Sequence, residues 1–233
     1  FINPARSIIV GDDTGIGGHC LLFGHTSWLS RFEGYPVEFD SIEIGNSVSI
    51  AWRVFLLPGT KIGDGTVIGA NSLVHRTIPP QCLAVGFPAR VVSKYPEFPR
   101  EISDDEKVTI LKDIVGEMVQ YFRDSSLQCE GKGDIYLICR QSRVLFFTRR
   151  KTWSFHVWYD TVSIDTEEIM HSNHDVVLSL RSIPAAMRQK LNERQTMWID
   201  ISAKERSYLS NDLGEEIALY LTRYGVRLVR KDG

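Results

Sequence analysis

A chain of 233 residues with 43% hydrophobic and 24% charged residues suits one large globular domain or two smaller ones. Its net charge of −2 is balanced along the chain, so it offers no basic field of the kind nucleic-acid binding uses. No apolar run reaches bilayer-spanning length, and four scattered cysteines (Cys20, Cys82, Cys129, Cys139) without a CxxC argue against a disulfide framework or zinc ribbon and for a reducing cytoplasm.

The chain starts at Phe1 with a repeat under way within ten residues, so the natural N-terminus is expected further upstream. Stepping by six gives Val10, Ile16 and Leu22, then, after an interruption, Ile44, Ile50, Leu56, Ile62, Ile68 and Val74. Gly11, Gly17, Gly45, Gly63 and Gly69 follow five of these aliphatics and Ala51 a sixth. Four residues after each aliphatic stands Thr14, Cys20, Thr26, Val48, Val54, Thr60, Thr66, Ser72 or Ile78, all small or β-branched. A helix would repeat every 3.6 residues and a simple strand every 2. Six fits a short strand plus a turn, with the aliphatic and its small companion sharing a narrow core. Glycine is expected to supply an unusual φ near the corner. The frame stops at Ser27 and resumes at Ile44, leaving Trp28 to Glu43 as an excursion. A long excursion from a compact repeat usually carries function.

After Val92 a proline-punctuated connector, 94–100, leads to a predicted helix over 101–124. Ser103 and Glu106 make its capping box, and Val108, Leu111, Ile114, Val115, Met118, Val119 and Phe122 its apolar stripe. Strands are predicted at 135–139, 144–147, 153–159, 176–180, 197–201 and 226–229. Helices are predicted at 184–192 and 212–224, the second capped by Gly225. The fold class is mixed β and α/β: a repeat domain over 1–95, a connecting helix, and a small α/β domain over 131–233. The α/β part carries no catalytic motif. His171 and His174 read as a polar loop and Arg149-Arg150-Lys151 as a charged hairpin turn. Trp153, Phe155, Trp158 and Tyr159 read mainly as core.

Residues 62–74, Ile-Gly-Asp-Gly-Thr-Val-Ile-Gly-Ala-Asn-Ser-Leu-Val, with Ile78-Pro79-Pro80 and the 84–92 stretch Ala-Val-Gly-Phe-Pro-Ala-Arg-Val-Val, resemble the last coil and exit of hexapeptide-repeat acyltransferases. The likeness is nearest to galactoside, maltose and xenobiotic O-acetyltransferases and covers roughly residues 8–95. It implies a left-handed parallel β-helix, a homotrimer with active sites between subunits, and acetyl-CoA as co-substrate, with no metal. It also implies that the excursion reaches toward a neighbour's site and that the connecting helix packs on the β-helix.

Acyl transfer to a hydroxyl needs a base, and histidine titrates near neutrality. His25 stands immediately before the excursion, where the family has its catalytic histidine, and so takes the general-base role. Glu33, Glu38 and Asp40 are candidate orienting partners. The family's backbone oxyanion donor falls on Trp52, where the family commonly has a small residue, so the Trp puts the local pocket shape in doubt. The resemblance further implies CoA contacts at Ala51, Ala70, His75, Arg76 and Arg90, where arginine suits phosphate. His19, Trp28, Arg31 and Glu33 would contact the acceptor.

The expected function is transfer of an acetyl or short acyl group from acyl-CoA to a hydroxyl of a sugar or glycan precursor, by direct attack. Two alternatives stand: a non-enzymatic trimeric scaffold presenting the α/β domain, and a nucleotide-sugar N-acetyltransferase. The γ-class carbonic anhydrases share the scaffold, but their zinc histidines include a pair five apart, and His19 and His25 are six apart.

Overall fold

Each six-residue step of the ladder folds as a two- or three-residue strand followed by a turn. The computed structural model describes residues 1–144, 147–159 and 174–231. The chain divides into two units, Phe1–Glu101 and Ile102–Gly233.

In the first unit the chain visits three parallel faces in rotation. The first face stacks β1 (Ile2–Asn3), β4 (Leu21–Phe23), β7 (Phe55–Leu56) and β10 (Leu73–Val74). The second stacks β2 (Ile8–Val10), β5 (Ile42–Ile44), β8 (Lys61–Ile62) and β11 (Thr77–Ile78). The third stacks β3 (Gly15–Ile16), β6 (Ser49–Ile50), β9 (Val67–Ile68) and β12 (Cys82–Gly86), closed by antiparallel β13 (Ala89–Lys94).

Register shows what the excursion does. Ile44 pairs with Ile62 and Ile50 with Ile68, 18 residues apart. Across the excursion Val10 pairs with Ile44 and Leu22 with Leu56, 34 apart. The difference of 16 is the length of 28–43, so the insertion is confined to one coil. Its tail is reabsorbed early: β5 already opens at Ile42, which is fully buried.

Two expectations change. Ile78 is not a companion of Val74 but a face residue pairing with Ile62, because the turn through His75 and Arg76 is two residues short. The glycines after the aliphatics are not left-handed; they make room. A Cβ on Gly17 would lie 2.8 Å from the Ala51 carbonyl carbon in the next coil. The left-handed residue comes two positions later, at Asp13, His19, Ser47, Arg53 and Asn71, with glycine at Gly59 and Gly65.

The core of this unit is narrow. Ile44, Ile50, Leu56, Ile62, Ile68 and Val74 are buried, as are Val48, Val54, Thr60, Thr66 and Ser72 between them. The hydroxyls there are satisfied by backbone: Thr60 Oγ1 donates to the Val74 carbonyl at 3.0 Å and Thr66 Oγ1 to the Pro79 carbonyl at 2.7 Å.

The second unit is a seven-stranded sheet in sequence order: β14 (Gln128–Lys132), β15 (Ile135–Val144), β16 (Phe147–Trp158), β17 (Val176–Ser179), β18 (Met197–Asp200), β19 (Glu205–Ser207) and β20 (Val229–Lys231). Strands β16, β17 and β18 are parallel to one another. Helices α1 (Asp104–Asp124) and α3 (Asp212–Leu221) share a core with Phe155, Val157, Val176, Leu178 and Met197. Helix α2 (Ala185–Glu193) packs through Met187 and Leu191 with Trp158, Val177 and Trp198 on the opposite face. Neighbouring residues such as Val176 and Val177 thus serve different layers, as strand pleating requires.

Ser103 caps α1 by accepting the Glu106 N–H, and the predicted stripe is its buried face, packed within the second unit's core. Arg149, Arg150 and Lys151 lie inside β16 rather than in a turn; Lys151 pairs with Asp212 at 2.7 Å. The final strand starts at Val229, three residues later than predicted. His171 lies outside the described residues.

Candidate active site

His25 follows Leu22 by three residues, the same repeat position from which His19 follows Ile16. His19 is left-handed there, with φ 59°, whereas at His25 the chain leaves the coil for the excursion. The excursion closes back on its own stem. The Thr26 N–H donates to the Glu38 carbonyl at 3.0 Å, and the Asp40 N–H to the Gly24 carbonyl at 3.2 Å. A bridge also joins His25 to Phe39. In between, Ser30 caps a single 3-10 turn, Arg31–Glu33, that ends on left-handed Gly34.

This closure surrounds the imidazole with aromatics. Phe39 stacks on it at 5.9 Å, Trp28 lies tilted at 5.2 Å, and Phe23 presents an edge at 6.5 Å. The Ser27 N–H points at Nδ1 from 3.1 Å, with the Ser27 hydroxyl 2.9 Å away. On the other side Nε2 is 2.8 Å from the Asn3 side-chain amide. A backbone N–H can only donate, so Nδ1 accepts and the neutral ring carries its proton on Nε2; Asn3 then presents its carbonyl oxygen there.

The orienting groups are therefore Ser27 and Asn3, not the carboxylates expected from sequence. Among the described residues none of Glu33, Glu38 and Asp40 hydrogen-bonds His25; the Asp40 carboxylate accepts the Ser41 N–H instead. Ser27 was in plain view, two residues on. Asn3 was not: β1 pairs 20 residues ahead, Ile2 with Leu22, outside the period of 18.

The other candidates sort onto two edges of the prism. His75 and Arg76 lie in the turn after the first face, as His25 and the excursion's Trp28, Arg31 and Glu33 do. His19, Ala51, Trp52 and Ala70 lie in the turns after the third face. A single chain therefore does not bring His25 and Trp52 together at one edge. The Trp52 indole lies 5.8 Å from the His19 ring and covers Gly18, where a Cβ would meet it at 2.7 Å. Its carbonyl accepts the Asn71 N–H at 3.0 Å. Beside it opens a cavity of about 460 Å³ lined by His19, Arg53, Phe55, Asn71 and Phe87. Arg76 Nη2 and His75 Nε2 are 3.2 Å apart and exposed, and Arg90, also exposed, lies in β13. Because His19 and His25 sit on different edges, one chain does not pair them as metal ligands. Among the described residues no three His, Cys, Asp or Glu side chains gather to hold a metal.

No family model matches the chain. The galactoside O-acetyltransferase of Escherichia coli (strain K12) is 46% identical over 115 residues, covering 45% of this chain and 53% of that one. The chain is thus similar over part of its length to sugar O-acetyltransferases. A Staphylococcus aureus (strain Mu50 / ATCC 700699) protein provisionally named an acetyltransferase is 43% identical over 91 residues, 39% of this chain and 43% of that one. A solved galactoside acetyltransferase in complex with coenzyme A is 33% identical across 40% of this chain and 48% of that one, at a TM-score of 0.37. The chain spans about half the length of the curated relatives it matches.

Proposed function

We propose that the chain is an O-acetyltransferase moving an acetyl group from acetyl-CoA to a hydroxyl of a sugar or glycan precursor. The observation that carries this is His25: a histidine at the foot of the one break in an acetyltransferase ladder, held from both sides and walled by aromatics. In the free chain Ser27 occupies Nδ1 and Asn3 faces Nε2, so the acceptor's hydroxyl must displace one of these contacts; the ring nitrogen it reaches then takes its proton as the oxygen attacks the thioester carbonyl. The Trp52 backbone N–H would steady the oxyanion. The C–S bond then breaks, and the thiolate leaves with the proton that His25 took, so no covalent enzyme intermediate forms.

Candidates divided between two edges favour a reaction between copies. In this reading a left-handed β-helix assembles as a homotrimer, with the His25 edge of one chain against the Trp52 edge of the next. Coenzyme A would run along that seam past Ala51 and Ala70, with His75, Arg76 and Arg90 near its phosphates. These three side chains are exposed donors, which suits phosphate. Trp28, Arg31, Glu33 and His19 would meet the acceptor, and exposed aromatics such as Trp28 suit the apolar face of a sugar ring. Among the described residues no helix is long and apolar enough to cross a membrane; the four free cysteines fit a cytoplasmic enzyme.

The test is CoA release from acetyl-CoA by the purified chain across a panel of sugar acceptors, alongside acetyl-CoA calorimetry. Acceptor-dependent release is expected. No detectable acetyl-CoA binding would favour the scaffold reading instead.

A further inference from the structure

We infer that the second unit holds a binding site for a long-chain carboxylate at the carboxyl ends of its parallel strands. The inference is independent of the acyl-transfer reading. A cavity of about 530 Å³ opens where β17 and β18 end; Leu180 and Arg181 follow β17, and Ile201 and Ser202 follow β18. In open α/β sheets this is where small ligands bind, since parallel strands point their carboxyl ends to one side and the loops there diverge. The volume lies within the range of ligand pockets.

The walls say what kind of ligand. Helix α1 supplies Ile110, Leu111 and Ile114, and Leu221 and Val226 close the other side. The Tyr224 hydroxyl is already committed to Glu117, so it offers the cavity little but its ring. At the start of α1 the character changes. Asp104 Oδ1 accepts from Lys107 Nζ at 3.0 Å, and Asp104 Oδ2 from Arg181 Nη2 at 2.8 Å. Both cations hold the Asp104 carboxyl below its usual range, so the trio carries one net positive charge. From Asp104 to Ile114 the helix rises about 15 Å, which sets a charged end and an apolar end one chain-length apart.

Lys107 and Arg181 keep further N–H donors beyond those given to Asp104. Such exposed pairs are weak and rearrange at little cost. A ligand carboxylate can therefore take the free donors while its hydrocarbon chain fills the slot, whose walls are mostly aliphatic, with Ser202 at the strand ends and the Tyr224 hydroxyl committed to Glu117.

The test is calorimetry on the full chain with dodecanoate, dodecanol and dodecyltrimethylammonium, each below its micelle-forming concentration. Dodecanoate should bind at least about tenfold tighter than either of the others. Arg181→Gln should erase that preference, and Asp104→Asn should tighten dodecanoate binding by releasing both cations. Ile110→Trp, at a half-exposed wall position that should not disturb folding, should abolish binding. Equal affinity for dodecanoate and dodecanol would overturn the proposal. So would dodecanoate binding that neither Arg181→Gln nor Ile110→Trp alters.

Discussion

The first unit builds its core from strands of two or three residues whose inward positions hold Ile, Leu, Val, Thr and Ser, whereas the second packs Trp198, Phe155 and Phe122 between helices and longer strands. In the first, coils approach so closely that glycine is needed where backbones meet. In the second, side-chain volume sets the spacing and most glycines have room. Close backbone stacking makes a stiff prism whose edges can hold a reaction. Volume packing leaves clefts between elements, such as the one beside α1.

The largest effect should come from asking which unit carries the chemistry. His25→Ala should lower acyl transfer by about 10²–10⁴-fold, the usual worth of a positioned base, while acetyl-CoA affinity stays unchanged. Arg206→Gln, in the second unit, should leave turnover as it is. If Arg206→Gln cost as much as His25→Ala, the division of labour between the units would be wrong.

Next come the cores. Trp198 is fully buried, lies under the Arg188 guanidinium at 4.6 Å and donates from its indole to Asn192 at 3.0 Å. Trp198→Ala should cost about 3–5 kcal/mol in urea unfolding. Leu56, equally buried in the narrow prism, should cost about 2–5 kcal/mol as Ala. A loss under about 1 kcal/mol at Leu56 would mean that neighbouring coils collapse into the gap, contrary to a core held open by backbone contacts.

One substitution should change sign between the units. Gly17→Ala puts a methyl 2.8–2.9 Å from backbone atoms of Ala51 and Trp52, none of which can swing aside, and should destabilise by about 1–3 kcal/mol. Gly116 sits exposed in the middle of α1 with nothing near its missing Cβ. Gly116→Ala should stabilise by about 0.5–1 kcal/mol, because glycine loses more freedom in a helix. Thermal melts of the two variants shifting in the same direction would break the contrast.

The same difference governs what could be read from sequence. The ladder was legible because nine aliphatics stand on one spacing in two runs and each repeat reports on its neighbour. It misled at Ile78, where the spacing lapses, at the glycines, which make room and are not left-handed, and in the first coil, where Val10 and Ile16 are exposed instead of buried. His25 was legible because the break in the ladder marks it. Its partner Asn3 was not, since that contact depends on a register outside the period. In the second unit α1 announced itself through Ser103 and its stripe. The seven-stranded pairing did not, because strands such as β19 and β20 meet through long intervening segments with no repeated spacing. The cleft beside α1 was equally hidden: Asp104 and Arg181 are 77 residues apart, and nothing in either neighbourhood names the other.

Acid should produce the smallest effect, and in the second unit. Arg188 pulls the Glu205 carboxyl below its usual value of 4.5, helped by Lys231. Arg206, with Ser210 and Arg230, does the same to Glu215. As pH falls, the unfolded chain takes up these protons first, so it binds more protons than the native state within the window between the two values. Stability from these pairs is therefore complete above about pH 4.5 and lost as pH falls through the lower native values. Both pairs are partly exposed, so the loss is modest and shrinks in salt. Tryptophan fluorescence during urea unfolding, to which Trp153, Trp158 and Trp198 of the second unit contribute, should show a midpoint lower at pH 3.5 than at pH 6. Glu215→Gln should lower the midpoint at pH 6 and flatten its dependence on pH. A variant with the same slope as the parent would place the acid sensitivity elsewhere, and this contrast between volume-packed and backbone-packed units would then owe nothing to the ion pairs at the sheet's β19–β20 edge.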